Sequence, residues 1–319
     1  MLVSVILIII GFAMLIVGAN LLVDGSSSVA KKFHIPEIII GLTIVSIGTS
    51  MPELFVSLTS ALDGFPDMAV GNVVGSNVAN LLLILGMSAI INSIAFKKET
   101  RLIEIPICLF VTILFMILAN IGQDITRIDA IVLVGAFAAF IIYTIVMAKK
   151  GEEFDKEEGQ EEIKEDSTKG NTLKDILSII LGVVLLKLGG DFTVDNAVNI
   201  ANMFNWSEKL ISVTILAVGT SLPELVTSVS AAFKGNSDIA IGNILGSNIF
   251  NMLLIIGVSA LISPITYNIS YNRDMLVLLI ATVVLALFPL IPPKNKMSRM
   301  NGIIYFALYI GYLAMLFVM

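Results

Sequence analysis

The sequence predicts an all-α polytopic membrane protein of ten transmembrane helices, built as two inverted-topology five-helix repeats. Three observations predict it. Of the 319 residues 57% are hydrophobic and 14% charged, and the mean hydropathy is +0.97. Mostly apolar runs of span length recur along nearly the whole chain, as a helix crossing a bilayer requires. One pair of polar motifs inside those runs occurs twice at a fixed offset. The alternating ten-residue segments of a membrane β-barrel are absent.

The spans fall at roughly 2–24, 35–62, 67–94, 102–121, 127–148, 173–196, 207–233, 238–265, 273–292 and 300–318. The opening MLVSVILIIIGFAML lacks a basic leader and a small-residue cleavage site, so it is expected to be the first span rather than a signal peptide. KKGEEFDKEEGQEEIKEDSTKGN, from Lys149 to Asn171, is acidic, polar and poor in aromatics, and reads as a solvated linker. The chain thus divides into a first repeat at 1–148, an acidic cytoplasmic linker at 149–172 and a second repeat at 173–319. With the N-terminus outside, the short inner loops hold Lys31, Lys32, Lys97, Lys98, Arg101, Lys234, Lys294, Lys296 and Arg299, and the outer loops keep Arg127, Lys209 and Arg273. That bias places the N-terminus outside and the linker in the cytoplasm of a multi-pass cell-membrane protein.

GTSMPEL at Gly48 recurs as GTSLPEL at Gly219, and AVGNVVGSNVANLLLILGMSA at Ala69 as AIGNILGSNIFNMLLIIGVSA at Ala240, both at an offset of 171 residues. From Gly41 to Ile94 about half of the aligned positions are identical. Five helices separate each copy from the other. An odd number gives the copies opposite orientations in the bilayer, an arrangement suited to alternating access.

Polar residues in the second span, Ser46, Thr49, Ser50, Glu53 and Ser57, recur at three- and four-residue spacing and share one face; Asn72, Ser76 and Asn80 do so in the third. The second half repeats them as Thr220, Ser221, Glu224 and Ser228, then Asn243, Ser247 and Asn251, with Ala217 replacing Ser46. Pro52 and Pro223 offer no N–H to the carbonyls of Gly48 and Gly219, so backbone oxygens near Ser46–Gly48 and Ala217–Gly219 are expected to be freed. Gly71, Gly75, Gly242 and Gly246 are expected to admit close helix approach or a kink. Isolated Ser, Thr and Asn in such helices serve equally well as packing glue. Two intramembrane glutamates with no well-placed buried base are different, because each costs at least about 2.5 kcal/mol and calls for a partner. A cation is the natural one.

The single cysteine, Cys108, and single histidine, His34, exclude a disulfide framework and any zinc, haem or iron–sulfur site built from several such ligands. Oxygen ligands favour Na+, Ca2+, Mg2+ or Mn2+. Lys187 and Asp191, four residues apart, are expected to pair with each other. GNVVGSN lacks the GK[ST] of a phosphate loop, and the chain has neither HExxH nor a serine–histidine pair, so an enzyme is the weakest reading.

The GTSMPE/GTSLPE and GNVVGSNVAN/GNILGSNIFN pairs closely resemble the two α-repeats of the calcium/cation antiporter superfamily, nearest its Na+/Ca2+ exchanger branch. The resemblance covers the whole ten-span layout. It implies that the second, third, seventh and eighth spans surround the ions, with Glu53 and Glu224 as acidic ligands to both Ca2+ and Na+. Thr49, Ser50, Thr220, Ser221, Ser76 and Ser247 would supply hydroxyl or carbonyl oxygens, Asn80 and Asn251 the two remaining central positions, and the backbone at Ser46 and Ala217 outlying Na+ sites. The first and sixth spans would slide to switch access. Asn251, where some relatives carry an acid, argues for potassium independence, and the intact GSN segments favour Na+ over H+ as the driving ion. A Ca2+/H+ antiporter, a K+-dependent exchanger and a passive cation channel are the alternatives. No cofactor and no obligate protein or nucleic-acid partner is expected beyond the transported ions and the lipid bilayer.

Overall fold

The computed structural model describes residues 1–62, 66–157, 172–204, 219–292 and 294–318. Among them the chain is almost wholly helical. Eight helices are long and apolar enough to cross a membrane: α1 (Leu2–Lys32), α4 (Met68–Ile91), α5 (Thr100–Asn120), α6 (Arg127–Lys149), α7 (Thr172–Ala201), α9 (Ser237–Ile262), α10 (Ile269–Leu290) and α11 (Arg299–Leu316). A bent pair, α2 (Glu37–Thr49) and α3 (Met51–Leu62), makes a further span broken by 49°. The shorter α8 (Leu222–Phe233) belongs to the predicted seventh span, whose residues 207–218 lie outside the described ones.

The helices follow the predicted spans closely, with three informative differences. α1 runs on to Lys32 because GSSSV still packs against α7, the Gly25 position lying against the carbonyl of Asp175. α7 likewise continues past the predicted end at 196. The α6 helix continues to Glu157, so the first part of the acidic stretch extends a helix, and 158–171 fall outside the described residues.

α4 and α9, the two copies of the Gly/Ser/Asn motif, lie at the centre and are buried over most of their length. The apolar core forms around them, with Val73, Leu82, Leu85, Ile244, Leu253 and Ile256 at or below 1% exposure. α1, α6 and α11 instead expose Ile6, Ile9, Phe12, Ile128, Ile142 and Ile303, the outer surface expected of helices that face lipid.

α1 and α7 pack through a seam of glycines. A Cβ at Gly11 would lie 2.8 Å from the Gly189 carbonyl, one at Gly18 2.8 Å from that of Gly182, and one at Gly25 2.9 Å from that of Asp175. Each step of seven forward in α1 is a step of seven backward in α7, so these equivalent helices of the two halves run antiparallel. Without side chains at the crossing the backbones come into contact, as small residues permit in membranes. The pair has its own apolar cluster, with Leu15, Leu22, Val23 and Leu186 at its centre.

Two short ribbons stitch the halves together. β1 (Ile94–Ala95) pairs antiparallel with β4 (Lys296–Met297), and β2 (Asp124–Ile125) with β3 (Ile265–Thr266). β1 and β2 lie beyond opposite ends of α5, so the ribbons sit at opposite ends of the molecule. Lys97, Lys234, Arg101 and Arg299 gather at the β1–β4 end. Lys97 pairs with Asp238 at 2.5 Å, Lys234 with Asp24 at 2.7 Å, and Arg101 donates to Asn295 Oδ1 at 2.5 Å. Burial works against the charged Lys97 ammonium, but the Asp238 carboxylate outweighs it, with Glu37 and Glu99 adding, and the pKa rises above the ordinary lysine value.

The glycine seam yields a direct test. Gly18→Leu should destabilise the protein by about 1–3 kcal/mol, since a new side chain meets backbone rather than a movable group. Gly135→Ala on α6, with nothing described within 4 Å, should be neutral or stabilise by up to about 1 kcal/mol. Thermal unfolding in detergent reads both, and equal effects would contradict the seam.

Candidate ion-binding site

The break in the second span begins with Pro52. It cannot donate to the Gly48 carbonyl, and its ring crowds the preceding turn. Ser50 leaves helical geometry (φ −84°, ψ 10°) and the helix restarts at Met51 in a new direction. Ser221, ahead of Pro223, adopts nearly the same backbone (φ −88°, ψ 8°) as the N-cap of α8. Each break sets a Thr-Ser pair against the opposite half.

The contacts are reciprocal. The Ser50 hydroxyl donates to Glu224 Oε1 at 2.8 Å, and the Ser221 hydroxyl donates to Glu53 Oε1 at 3.3 Å. Ser50 Oγ is also 2.9 Å from Ser247 Oγ. Its one hydrogen serves the carboxylate, which makes the Ser247 hydroxyl the donor of that second bond. Thr49 donates to Asn243 Oδ1 at 3.0 Å, and Thr220 to Asn72 Oδ1 at 3.4 Å. Asn72 and Asn243 are themselves anchored, their Nδ2 atoms donating to Ser57 Oγ at 3.0 Å and Ser228 Oγ at 2.9 Å.

Between α4 and α9 a second reciprocal set holds the central amides. Asn80 Nδ2 donates to Asn248 Oδ1 at 3.0 Å, and Asn251 Nδ2 donates to Asn77 Oδ1 at 2.9 Å. Asn77 and Asn248 donate in turn to each other's backbone carbonyls, at 3.2 and 3.4 Å. Asn80 and Asn251 each open a π-helical turn, Asn80–Ile84 and Asn251–Ile255, a widened turn that often marks a functional position.

Glu53, Glu224, Asn80 and Asn251 each present one side-chain atom with a partner and one without. Glu53 Oε2, Glu224 Oε2, Asn80 Oδ1, Asn251 Oδ1 and Ser76 Oγ are buried with no hydrogen-bond partner. Glu53 and Glu224 are each 1% exposed, and no lysine or arginine is described in contact with either. Buried carboxylate, amide and hydroxyl oxygens without protein partners are the kind of ligands a hard cation takes.

The predicted residues fall into three groups. Ser50, Ser247 and Glu224 form one set, with Thr49 bonded to Asn243 beside it. Ser221 and Glu53 form the matching set, which Thr220 joins through Asn72, whose Nδ2 donates to the Glu53 carbonyl at 3.3 Å. Asn80 and Asn251 stand in the crossed amide set beside Ser76. Ser46 sits at the edge. Its hydroxyl donates to the carbonyls of Leu42 or Thr43, and its own carbonyl accepts from the Ser50 N–H at 3.0 Å and lies 3.3 Å from the Thr49 hydroxyl. That carbonyl is engaged within its own span rather than freed by the proline. Ala217 lies outside the described residues. The sequence reading passed over Asn77 and Asn248, although both stand in the GSN of each repeat. Each stands three residues before the central amide of its own helix and bonds the central amide of the other helix.

The glycines also divide. At Gly242 and Gly246 an added Cβ would meet the carbonyls of Ile38 and Leu42 at 2.7 Å, the expected close approach. At Gly75 nothing described lies within 4 Å, because that wall borders a cavity. The expected Lys187–Asp191 pair forms at 2.5 Å, and Cys108 is a buried free thiol.

The sequence pattern of the family described as sodium/calcium exchanger protein matches residues 3–146 and 174–318. Inner membrane protein YrbG of Escherichia coli is 34% identical over 319 residues, covering 99% of this chain and 98% of its own. Sodium/calcium exchanger MaX1 of Methanosarcina acetivorans is 30% identical over 350 residues, covering 99% of each. A solved structure of the sodium-calcium exchanger NCX_Mj, soaked with Na+ and Ca2+, superposes with a TM-score of 0.83 at 31% identity, covering 98% of each chain.

Asn248→Ala should release Asn80 Nδ2 and let that amide turn. Divalent-cation affinity, read by calorimetry, is expected to fall about 10–100-fold, as for other groups that orient a ligand. Unchanged affinity would show that Asn248 positions nothing.

Proposed function

The chain belongs to the sodium/calcium exchanger protein family, and on that premise we propose that it exchanges Na+ for Ca2+ across the membrane by alternating access. The observation that carries this reading is the set of buried, unpartnered oxygens on Glu53, Glu224, Asn80 and Asn251, matched pairwise across the two repeats. Two carboxylates supply two negative charges, balanced by one Ca2+ or by two or more Na+. Ca2+ takes six to eight oxygens at about 2.3–2.6 Å in flexible geometry, which suits carboxylates, amides and hydroxyls; Mg2+ demands a tighter octahedron and keeps its water. An empty site strands both charges in low dielectric and disfavours switching without cargo. Shared ligands together with that penalty give antiport.

In this reading ten spans form two inverted repeats, 1–148 and 173–319, joined by the linker at 149–172. The antiparallel α1–α7 seam and the reciprocal Ser–Glu and Asn–Asn bonds support the inversion. Thr49, Ser50, Thr220, Ser221, Ser76 and Ser247 complete the cage around the ions, and the backbone at Ser46 and Ala217 borders it. The basic β1–β4 end faces the cytoplasm and the N-terminus lies outside, supported by the clustering of Lys97, Lys234, Arg101 and Arg299.

Two measurements in proteoliposomes test the proposal. Glu53→Gln and Glu224→Gln keep shape and remove charge, and each should abolish Na+-driven uptake of radiolabelled Ca2+; intact flux in either would sink the assignment. Uptake by the wild-type protein should respond to an imposed Na+ gradient and not to K+ or H+ gradients alone. A response to H+ without Na+ would establish Ca2+/H+ exchange instead.

A further inference from the structure

Near the β2–β3 end, α3, α4, α10 and α11 enclose a cavity of about 430 Å³. Its size falls within the range of small-molecule sites. Val56, Val74, Leu313 and Leu316 give it apolar walls, and Tyr271, Tyr309 and Tyr312 bring three aromatic rings to it. The charged group on the lining is the Asp274 carboxylate, which accepts from the Tyr312 hydroxyl at 2.8 Å. Asn72 and Thr220 form the inner wall, so the cavity and the ion site share a partition.

The cavity is not a repeated feature of the ion cage. At the repeat-equivalent face, Gly242 and Gly246 are closed against Ile38, Leu42 and Ser46, whereas on this side Gly75 faces open space among the described residues. Asn72 is half-buried where its counterpart Asn243 is fully buried. Along α5 and α10 the buried faces correspond at an offset of 170 residues (Ile105 with Met275, Cys108 with Leu278, Thr112 with Thr282). Asp274 therefore matches Glu104, which accepts from Tyr143 at 3.2 Å; the carboxylate–tyrosine pair is repeated, and the open space at Gly75 is not.

We propose that this cavity is a binding site for a small organic ammonium ion with an apolar body. The apolar walls suit the body, and the Asp274 carboxylate with three tyrosine rings on the lining suits the cationic head, through ion pairing and cation–π attraction. A bare divalent ion would meet a single carboxylate among apolar walls, and an anion would be repelled by that carboxylate. Binding here holds the Asn72–Thr220 partition from outside the ion cage and selects the arrangement in which this face is open.

The test needs no ion gradient, so its result stands apart from the transport reading. Benzyltrimethylammonium and its uncharged isostere neopentylbenzene are titrated calorimetrically into the full chain in lipid nanodiscs. The wild-type protein should bind the ammonium saturably and the hydrocarbon at least about tenfold more weakly. Asp274→Asn, which keeps an acceptor for Tyr312, should weaken ammonium binding about tenfold. Gly75→Leu, which fills the cavity, should abolish it, with thermal unfolding showing that the variant is folded. Equal binding of the two probes, or of the ammonium to wild type and both variants, would overturn the site and reveal partition into lipid.

Discussion

The architecture turns on one constraint: two carboxylates sit in the interior with hydroxyls and amides around them and no base described beside them. A charge so placed cannot be satisfied by dipoles alone in low dielectric. The neighbours do not try to satisfy it completely. Serine hydroxyls bond Oε1 of each glutamate and leave Oε2; amide nitrogens of Asn80 and Asn251 are fixed and their oxygens left. On the proposed reading, orienting each side chain through one atom while sparing the other fixes its direction ahead of the ion, so little binding energy is lost in ordering it.

Each half orients the other. Glu53 is held by Ser221, Glu224 by Ser50, Asn80 by Asn248 and Asn251 by Asn77. A half-site alone would lack the serine donors to the glutamates and the amide acceptors for Asn80 and Asn251. The crossed pattern also explains why the Gly-lined contact between α2 and α9 matters: with Gly41, Gly242 and Gly246 free of side chains, the backbones come near enough for Thr49 to reach Asn243. The two crossings are not equally tight. Ser50–Glu224 and Thr49–Asn243 are shorter than Ser221–Glu53 and Thr220–Asn72, and the looser set adjoins the cavity.

Much of this was legible in the sequence because the signals were local and repeated. A proline with a glutamate in an apolar run marks both a break and a charge, and its copy at the same offset marks the partner. The helix ends were less legible. The GSSSV tail of α1 stays helical through contact with α7, a long-range cause that no local pattern carries. The roles of Asn77 and Asn248 have a similar cause, since each bonds an amide of the other repeat, a pairing that spacing within one helix does not carry. The π-turns at Asn80 and Asn251 left no mark that a spacing of three and four would reveal. The Ser46 carbonyl was misjudged because removing one donor at Pro52 affects Gly48, while Ser46 still receives the Ser50 N–H.

The β1–β4 ribbon has a consequence for how the chain is made. Ala95 pairs with Lys296, 201 residues further along. At ribosomal rates of about 5–20 residues per second, the first strand is exposed for about 10–40 s before its partner is synthesised. For the earlier part of that time Ser221, the donor to Glu53, and Asn248, the acceptor for Asn80, are also missing. The first five helices must therefore remain in the membrane with an open edge and an unsupported buried charge, a state in which insertion machinery or a protecting partner has its greatest influence on the yield of folded protein.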